Sequence, residues 1–323
     1  MAKISKKLIS IVVPLYNEEA SVPAFNTALL KQLKLLPNYR FEIVYVNDGS
    51  IDKTATLIKN FVSQNKDIKL LELSRNFGKE SALTAGITLA KGNAIITMDG
   101  DLQHPVNMIP KFINKWESGS VVVVGVRQKS KSDSTIKKGG SRIFYKTFNA
   151  FGDQTIVPGS TDFRLIDSSV QIEFIKLKES GRMTRSLIDW LGFNPSYVSF
   201  VADDRAAGHA SYKLSKLIKL AMDSFVSSSP APLFLFGIIG FFITTASLLL
   251  GVFILVEQLL FGDPWNLQFT GTAMLAILIL FLVGLILMSQ GIISVYLSHI
   301  HTQSKQRPLY VIDYNNSKGI DKN

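Results

Sequence analysis

Residues 94–105, AIITMDGDLQHP, carry a short apolar run directly into two aspartates separated by one glycine. Ala94 to Met98 has the composition of a strand buried on both faces, and Asp99 is its first charged residue. Asp99 and Asp101 are two apart, so they share one face if the strand continues and converge if the chain turns at Gly100. Such a pair suits Mg2+ or Mn2+, which take oxygen ligands and use one or two carboxylates while phosphate oxygens complete the shell. Alone, an Asp-x-Asp string reads more readily as a polar strand-to-loop junction, so its surroundings decide.

On the N-terminal side the same pattern recurs. Leu8 to Val13 reads as a strand that runs out at Pro14, Ala24 to Leu36 as a helix, and Phe41 to Val46 as a strand ending in NDGS. Thr54 to Ser63 is a helix, Ile68 to Leu73 a strand, Glu80 to Ala90 a helix, and beyond the aspartates Val121 to Val126 is a further strand. Strands alternating with amphipathic helices predict an α/β fold, a mostly parallel sheet with helices on both faces. Ligands of such sheets bind beyond the carboxyl ends of the strands, where the polar clusters after strands one, two and four fall.

The 323 residues include no cysteine, which excludes disulfides, thiolate nucleophiles and cysteine-ligated clusters. The N-terminus has no apolar core long enough for a signal peptide. Two uncharged runs, 230–256 and 264–298, each exceed the roughly 20 residues of a spanning helix and predict two transmembrane helices. Glu257 and Asp263 lie between them and Lys305 and Arg307 follow, which predicts a multi-pass plasma-membrane protein whose N-terminal domain and tail are cytoplasmic. The expected domains are therefore 1–229, 230–298 and 299–323. The +10 formal charge sits before residue 230, which points to anionic lipid heads of the bilayer as partner rather than to nucleic acid. Lys137 to Phe148 and Tyr212 to Phe225 mix basic and apolar residues as interface helices do. Gln128 to Gly140 reads equally as a solvated loop or a lid. Gly237, Gly240, Gly284 and Gly291 would allow close helix packing and a homo-oligomer.

Taken in order, IVVPLYNEE, VNDGS, SRNFGKESALTAG, MDGDLQHP, GSTDFRLID and DDRAAGHASY resemble the family 2 glycosyltransferases, and within them the polyprenyl-phosphate sugar transferases. The resemblance spans Ile9 to about Leu220 and implies a Rossmann-like GT-A fold. It implies that Pro14, Tyr16 and Glu18 pack over a nucleotide base and that Asn47 and Asp48 contact base and ribose. Asn47 departs from the usual acidic pair, which weakens inference about the base. Arg75, Asn76 and Lys79 fall near the diphosphate, Asp99 and Asp101 take the metal and ribose–diphosphate roles, and Gln103 is a polar third position. His104 stands where many relatives have Asp and is expected at the surface. Asp162 matches a carboxylate that acts as base or orienter, with Arg164 beside it. Arg182 and Arg185 fall near the active site, and Arg205, with Gly208, Ser211 and Tyr212, resembles a loop that closes on the donor phosphates.

The implied reaction is inverting transfer of a hexose from a nucleotide-diphospho-sugar to undecaprenyl phosphate, with UDP-glucose the first donor and UDP-N-acetylglucosamine the second. A lipid monophosphate is already largely ionised at pH 7, its second pKa being near 6, so an acceptor base is of minor use. Partners on this reading are the donor, the lipid acceptor, a separate flippase and a downstream glycosyltransferase. The alternatives are a processive polysaccharide synthase, against which the lack of a Gln-x-x-Arg-Trp string counts, and an inactive membrane scaffold.

Overall fold

A computed structural model of the 323-residue chain describes residues 6–128, 157, 159–179, 182–201, 249, 256, 271–305 and 307–320. Two compact units are present. One comprises Met1–Asn149, Gln154–Ser211 and Arg307–Asn323, the other Ala150–Asp153 and Tyr212–Gln306.

In the first unit the elements run β1 (Leu8–Leu15), α1 (Val22–Lys34), β2 (Arg40–Asn47), α2 (Thr54–Gln64), β3 (Ile68–Glu72), α3 (Lys79–Leu89) and β4 (Ala94–Thr97). They continue with α4 (Ile109–Glu117), β5 (Val122–Arg127), β6 (Ser160–Asp167), α5 (Ser168–Lys176), α6 (Thr184–Trp190) and β7 (Pro195–Phe200). Period-two alternation divides the strand side chains between two cores. Ile9, Ile11, Val13, Ile43, Tyr45 and Ile96 pack on one face with Phe25, Leu29 and Phe112. Val12, Val44, Val46 and Ile95 pack on the other with Leu83, Ile87, Val170 and Phe174. Both faces are covered, which is why the strands read as continuous apolar runs.

The sheet order is β3-β2-β1-β4-β6-β5-β7. β1 pairs parallel with β2 and β4, β2 with β3, and β5 with β7, whereas β6 is antiparallel to both β4 and β5. The sheet is therefore mixed: six strands run the same way, as a mostly parallel sheet requires, and β6 alone runs against them, because it enters from the edge at which β4 leaves. That reversal has a functional result. An antiparallel strand brings its first residues to the carboxyl edge of its neighbours, so Ser160, Thr161 and Asp162 arrive beside the end of β4.

The second unit contains α7 (Gly271–Ser304). Among the described residues no helix is long and apolar enough to cross a membrane, and this overturns the expected pair of transmembrane helices. Freedom from charge over 264–298 is a weaker property than sustained apolar length. The strictly apolar stretch is 273–288, after which Ser289, Gln290, Ser294 and Ser298 intervene. The multi-pass plasma-membrane location rested on those spans and is corrected with them, as is the bilayer as partner so far as the spans implied it. Of the two expected spans, residues 230–248, 250–255 and 264–270 lie outside the described residues, as do the two expected interface helices, Lys137 to Phe148 and Tyr212 to Phe225.

Residues 307–320 belong to the first unit and run along β3. Leu70 and Lys318 exchange two backbone hydrogen bonds of 2.9 Å, Asp313 N–H donates to the Glu72 carbonyl at 2.8 Å, and Ser74 N–H donates to the Val311 carbonyl at 2.9 Å. The segment covers what would otherwise be an open sheet edge.

Candidate active site

Four loops meet at the carboxyl edge of β1, β2, β3 and β4. The turn after β2 is fastened to the loop after β3 through Asp48, whose carboxylate accepts the N–H groups of Phe77 at 2.7 Å and Gly78 at 2.9 Å. Burial raises the Asp48 pKa, and those two N–H groups offset the rise only in part. Gly49, at φ +66°, permits the approach. A Cβ there would stand 2.5 Å from the Arg75 carbonyl carbon, and the conformation itself disfavours any other residue. The turn after β1 is braced to the same region, with Asn17 N–H donating to Ser50 Oγ and Ile51 N–H to Asn17 Oδ1, both at 2.9 Å.

Asn47 is fully buried and committed internally. Its amide donates to Glu72 Oε1 at 2.6 Å, while its oxygen accepts the Ser50 hydroxyl at 2.5 Å. Glu18 likewise accepts the Ser21 hydroxyl at 2.5 Å, Pro14 is buried at the end of β1, and Tyr16 stands exposed at the mouth. Arg75 lies over the Phe77 ring at 4.1 Å and donates to the Asn76 carbonyl.

The charged centre lies one strand further on. Lys79, the first residue of α3, places its ammonium 2.7 Å from Asp99 Oδ1 and 3.0 Å from Asp162 Oδ2. Register explains the convergence. Thr97 is paired with Arg164 across the antiparallel β4–β6 ladder, so continuing it by two residues sets Asp99 opposite Asp162. Thr97 Oγ1 also donates to the Asp162 carbonyl at 2.6 Å and holds the start of β6 in place. Burial penalises the Lys79 ammonium, but Asp99 and Asp162 outweigh it and hold its pKa above the ordinary lysine value. Burial raises Asp162, yet Lys79, then Arg185 and Arg164, outweigh that and its pKa lies below the usual aspartate range.

The turn after Asp99 is tight. Leu102 adopts φ +65°, a left-handed conformation uncommon for a branched apolar residue, and Asp101 Oδ1 accepts the Gln103 N–H at 3.0 Å. A Cβ on Gly100 would meet Leu15 Cδ2 at 2.5 Å. His104 is not the expected surface residue. It is buried, stacks on Phe163 at 5.1 Å, and accepts the Asp99 N–H through Nδ1 at 2.9 Å. Burial lowers its pKa, so the ring is neutral at pH 7 and acts as an acceptor that fixes the Asp99 backbone.

Arg164 and Arg182 part company with this cluster. The Arg164 guanidinium is buried and bidentate to Asp189, at 2.6 and 3.2 Å, and also donates to the Thr161 carbonyl at 3.1 Å. It ties β6 to α6. Arg182 lies over Phe174 at 4.7 Å and gives one hydrogen bond, to the Leu177 carbonyl, while its Nε and Nη2 are buried without a partner. Arg205 and Ser211, with Gly208 and Tyr212, lie outside the described residues. Asp189, the partner of Arg164, gave no signal in the sequence, because the contact joins two elements whose proximity no spacing encodes.

Residues 10–173 match the family described as Glycosyl transferase family 2. The chain belongs to that family. It is 36% identical over 312 residues to an uncharacterized glycosyltransferase, YkcC, of Bacillus subtilis, covering 97% of this chain and 94% of the relative. It is also 36% identical over 305 residues to a bactoprenol glucosyl transferase of Shigella phage SfV, covering 94% and 97% respectively. Among solved structures, the Mycobacterium tuberculosis glucosyl-3-phosphoglycerate synthase in complex with Mn2+, UDP and its product aligns with a TM-score of 0.46 at 18% identity, over 67% of this chain and 76% of that one. Among the described residues of this glycosyltransferase, no group of three or more His, Cys, Asp or Glu is arranged to hold a metal ion.

Proposed function

We propose that the transferase moves one hexose from a nucleotide-diphospho-sugar, UDP-glucose before UDP-N-acetylglucosamine, onto undecaprenyl phosphate with inversion at the anomeric carbon. The observation that carries this reading is the Lys79–Asp99–Asp162 cluster, set at the carboxyl edge of β4 beside the loop that Asp48 anchors. Similarity along nearly the whole chain to bactoprenol glucosyl transferases supports both the lipid acceptor and the glucosyl donor.

Asp99 and Asp101 suit Mg2+ or Mn2+ by donor chemistry, two carboxylates on one turn, with phosphate oxygens of the donor as the remaining ligands. Such an ion, when bound, neutralises charge on the departing diphosphate. The chain's own groups do the rest. Pro14, Tyr16 and Glu18 line the base side, and Asn47 and Asp48 act by holding that turn rigid. Arg75 and Lys79 supply cations to the diphosphate. Gln103 fixes the turn that carries Asp101 through its own backbone N–H. Asp162, held ionised, orients the acceptor and its surroundings instead of taking a proton, since the acceptor phosphate is already an oxyanion. Arg182 has two buried donors without partners, a site that an acceptor phosphate would satisfy. For Arg205 and Ser211, which lie outside the described residues, a role at the donor phosphates rests on the family resemblance alone. Arg164, spent on Asp189, positions β6 and touches no substrate.

The test is a donor screen. Purified transferase is incubated in detergent with undecaprenyl phosphate and, separately, labelled UDP-glucose, UDP-N-acetylglucosamine and GDP-mannose. One sugar per lipid from UDP-glucose is expected, a ladder of additions would instead mark a processive synthase, and no lipid product from any donor would refute the reading.

A further inference from the structure

Asp99 and Asp162 come from neighbouring strands, are set opposite one another by the β4–β6 register, and close on a single ammonium. Two carboxylates this close repel unless a cation stands between them. That cation is Lys79. Its backbone is held in place, since the preceding Gly78 N–H is bound by Asp48, but its side chain is 43% exposed. The groups facing the ammonium are Asp99 and Asp162, with neutral His104 behind Asp99 and Arg185 near Asp162.

We propose that Lys79 is a place-holder for the divalent ion: in the donor-free enzyme it neutralises Asp99, one of the two carboxylates assigned to that ion, while bridging to Asp162, and it leaves only when a nucleoside diphosphate offers an alternative partner. This rests on the reading that Asp99 and Asp101 hold the metal. An ammonium 2.7 Å from an Asp99 oxygen repels a divalent ion seeking that carboxylate, so the ion alone meets a site already neutralised. The diphosphate changes the balance. It adds negative charge within reach of the four-carbon Lys79 stem, draws the ammonium off the carboxylates, and supplies phosphate oxygens to the arriving ion. Donor and metal therefore enter as a unit, and Asp162 is released toward the acceptor at the moment the donor is seated. A lysine that served only as a fixed diphosphate contact would have no effect on metal binding in the absence of nucleotide.

The experiment measures Mn2+ binding to the full-length protein by electron paramagnetic resonance, without nucleotide and with saturating UDP. Wild type is expected to bind Mn2+ weakly alone and much more tightly with UDP. Lys79→Met is expected to bind Mn2+ alone at least tenfold more tightly than wild type, with a correspondingly smaller gain from UDP. Lys79→Arg, which keeps the cation, is expected to remain as weak as wild type without UDP. Equal nucleotide-free affinities for wild type and Lys79→Met, with UDP-dependent binding intact, would overturn the place-holder and leave the metal reading standing. Failure of wild type to bind Mn2+ even with UDP would overturn both. If the apolar variant does not fold, as circular dichroism would report, Lys79→Gln takes its place: tighter nucleotide-free binding than wild type supports the place-holder, and equal binding overturns it.

Discussion

At Asp162 the electrostatics decide between two chemical roles. A carboxyl held below the usual aspartate range is a poor proton acceptor at neutral pH, and its pairing with Lys79 is complete well before pH 6. Because its native pKa is depressed, the stability it contributes is present above the unfolded value of about 3.9 and is lost only as pH falls through the lower native value. The Lys79 side of the pair, its pKa raised, contributes fully below the unfolded value of about 10.4 and fades only above it. Asp162→Asn is therefore expected to lower kcat by about 100-fold, the scale of a misplaced reactant, and by the same factor at every pH from 6 to 9. A loss that shrinks steeply toward pH 9 in kcat–pH profiles would mark a base instead. Asp189 calls for a different measurement. Replacing it by Ala leaves the buried Arg164 guanidinium without its carboxylate, and urea unfolding should show a loss of about 3–5 kcal/mol. For Arg182→Ala, steady-state kinetics should give a KM for undecaprenyl phosphate at least tenfold higher, with the donor KM little changed; an unchanged lipid KM would remove Arg182 from the acceptor site.

Elements were legible in proportion to how local their causes are. The strands β1 to β5 and the helices α1 to α3 stand where apolar runs and helical periodicity put them, within a residue or two, because both faces of the sheet are covered and each strand announces itself by continuous apolarity. Strand direction is not local. Nothing between residues 128 and 159 dictates that β6 return antiparallel, and only that return sets Asp162 against Asp99. The motif residues were therefore readable as a set, but the Lys79 bridge, the diversion of Arg164 to Asp189 and the internal commitment of Asn47 depend on packing that spacing does not encode. The segment 307–320 is a similar case: its sequence is polar and irregular, yet it pairs with β3 through four backbone hydrogen bonds between Leu70 and Lys318, Asp313 and Glu72, and Ser74 and Val311. At roughly 0.5–1.5 kcal/mol each, truncation before Arg307 should cost about 2–6 kcal/mol. Hydrogen exchange at Leu70, slow in the intact chain, should quicken in the truncated one, and unchanged protection would show that the segment does not close that edge.

For the whole molecule, long uncharged runs invited a membrane reading that the described helix does not meet, since the apolar stretch of α7 is interrupted at Ser289 and Gln290. The activity reading does not depend on it. Its chemistry is gathered in the first unit, where every described member of the Lys79–Asp99–Asp162 cluster and its anchors resides. Chelation should accordingly abolish turnover without unfolding that unit, and added Mn2+ or Mg2+ should restore it, whereas full turnover after exhaustive metal removal would cancel the roles given to Asp99 and Asp101. The most direct measurement is nuclear magnetic resonance and mass analysis of the lipid formed from UDP-α-glucose and undecaprenyl phosphate. A single added hexose in the β configuration is the expected product; an α-linked sugar, a series of added hexoses, or an unmodified lipid would contradict inverting transfer of one sugar to a polyprenyl phosphate.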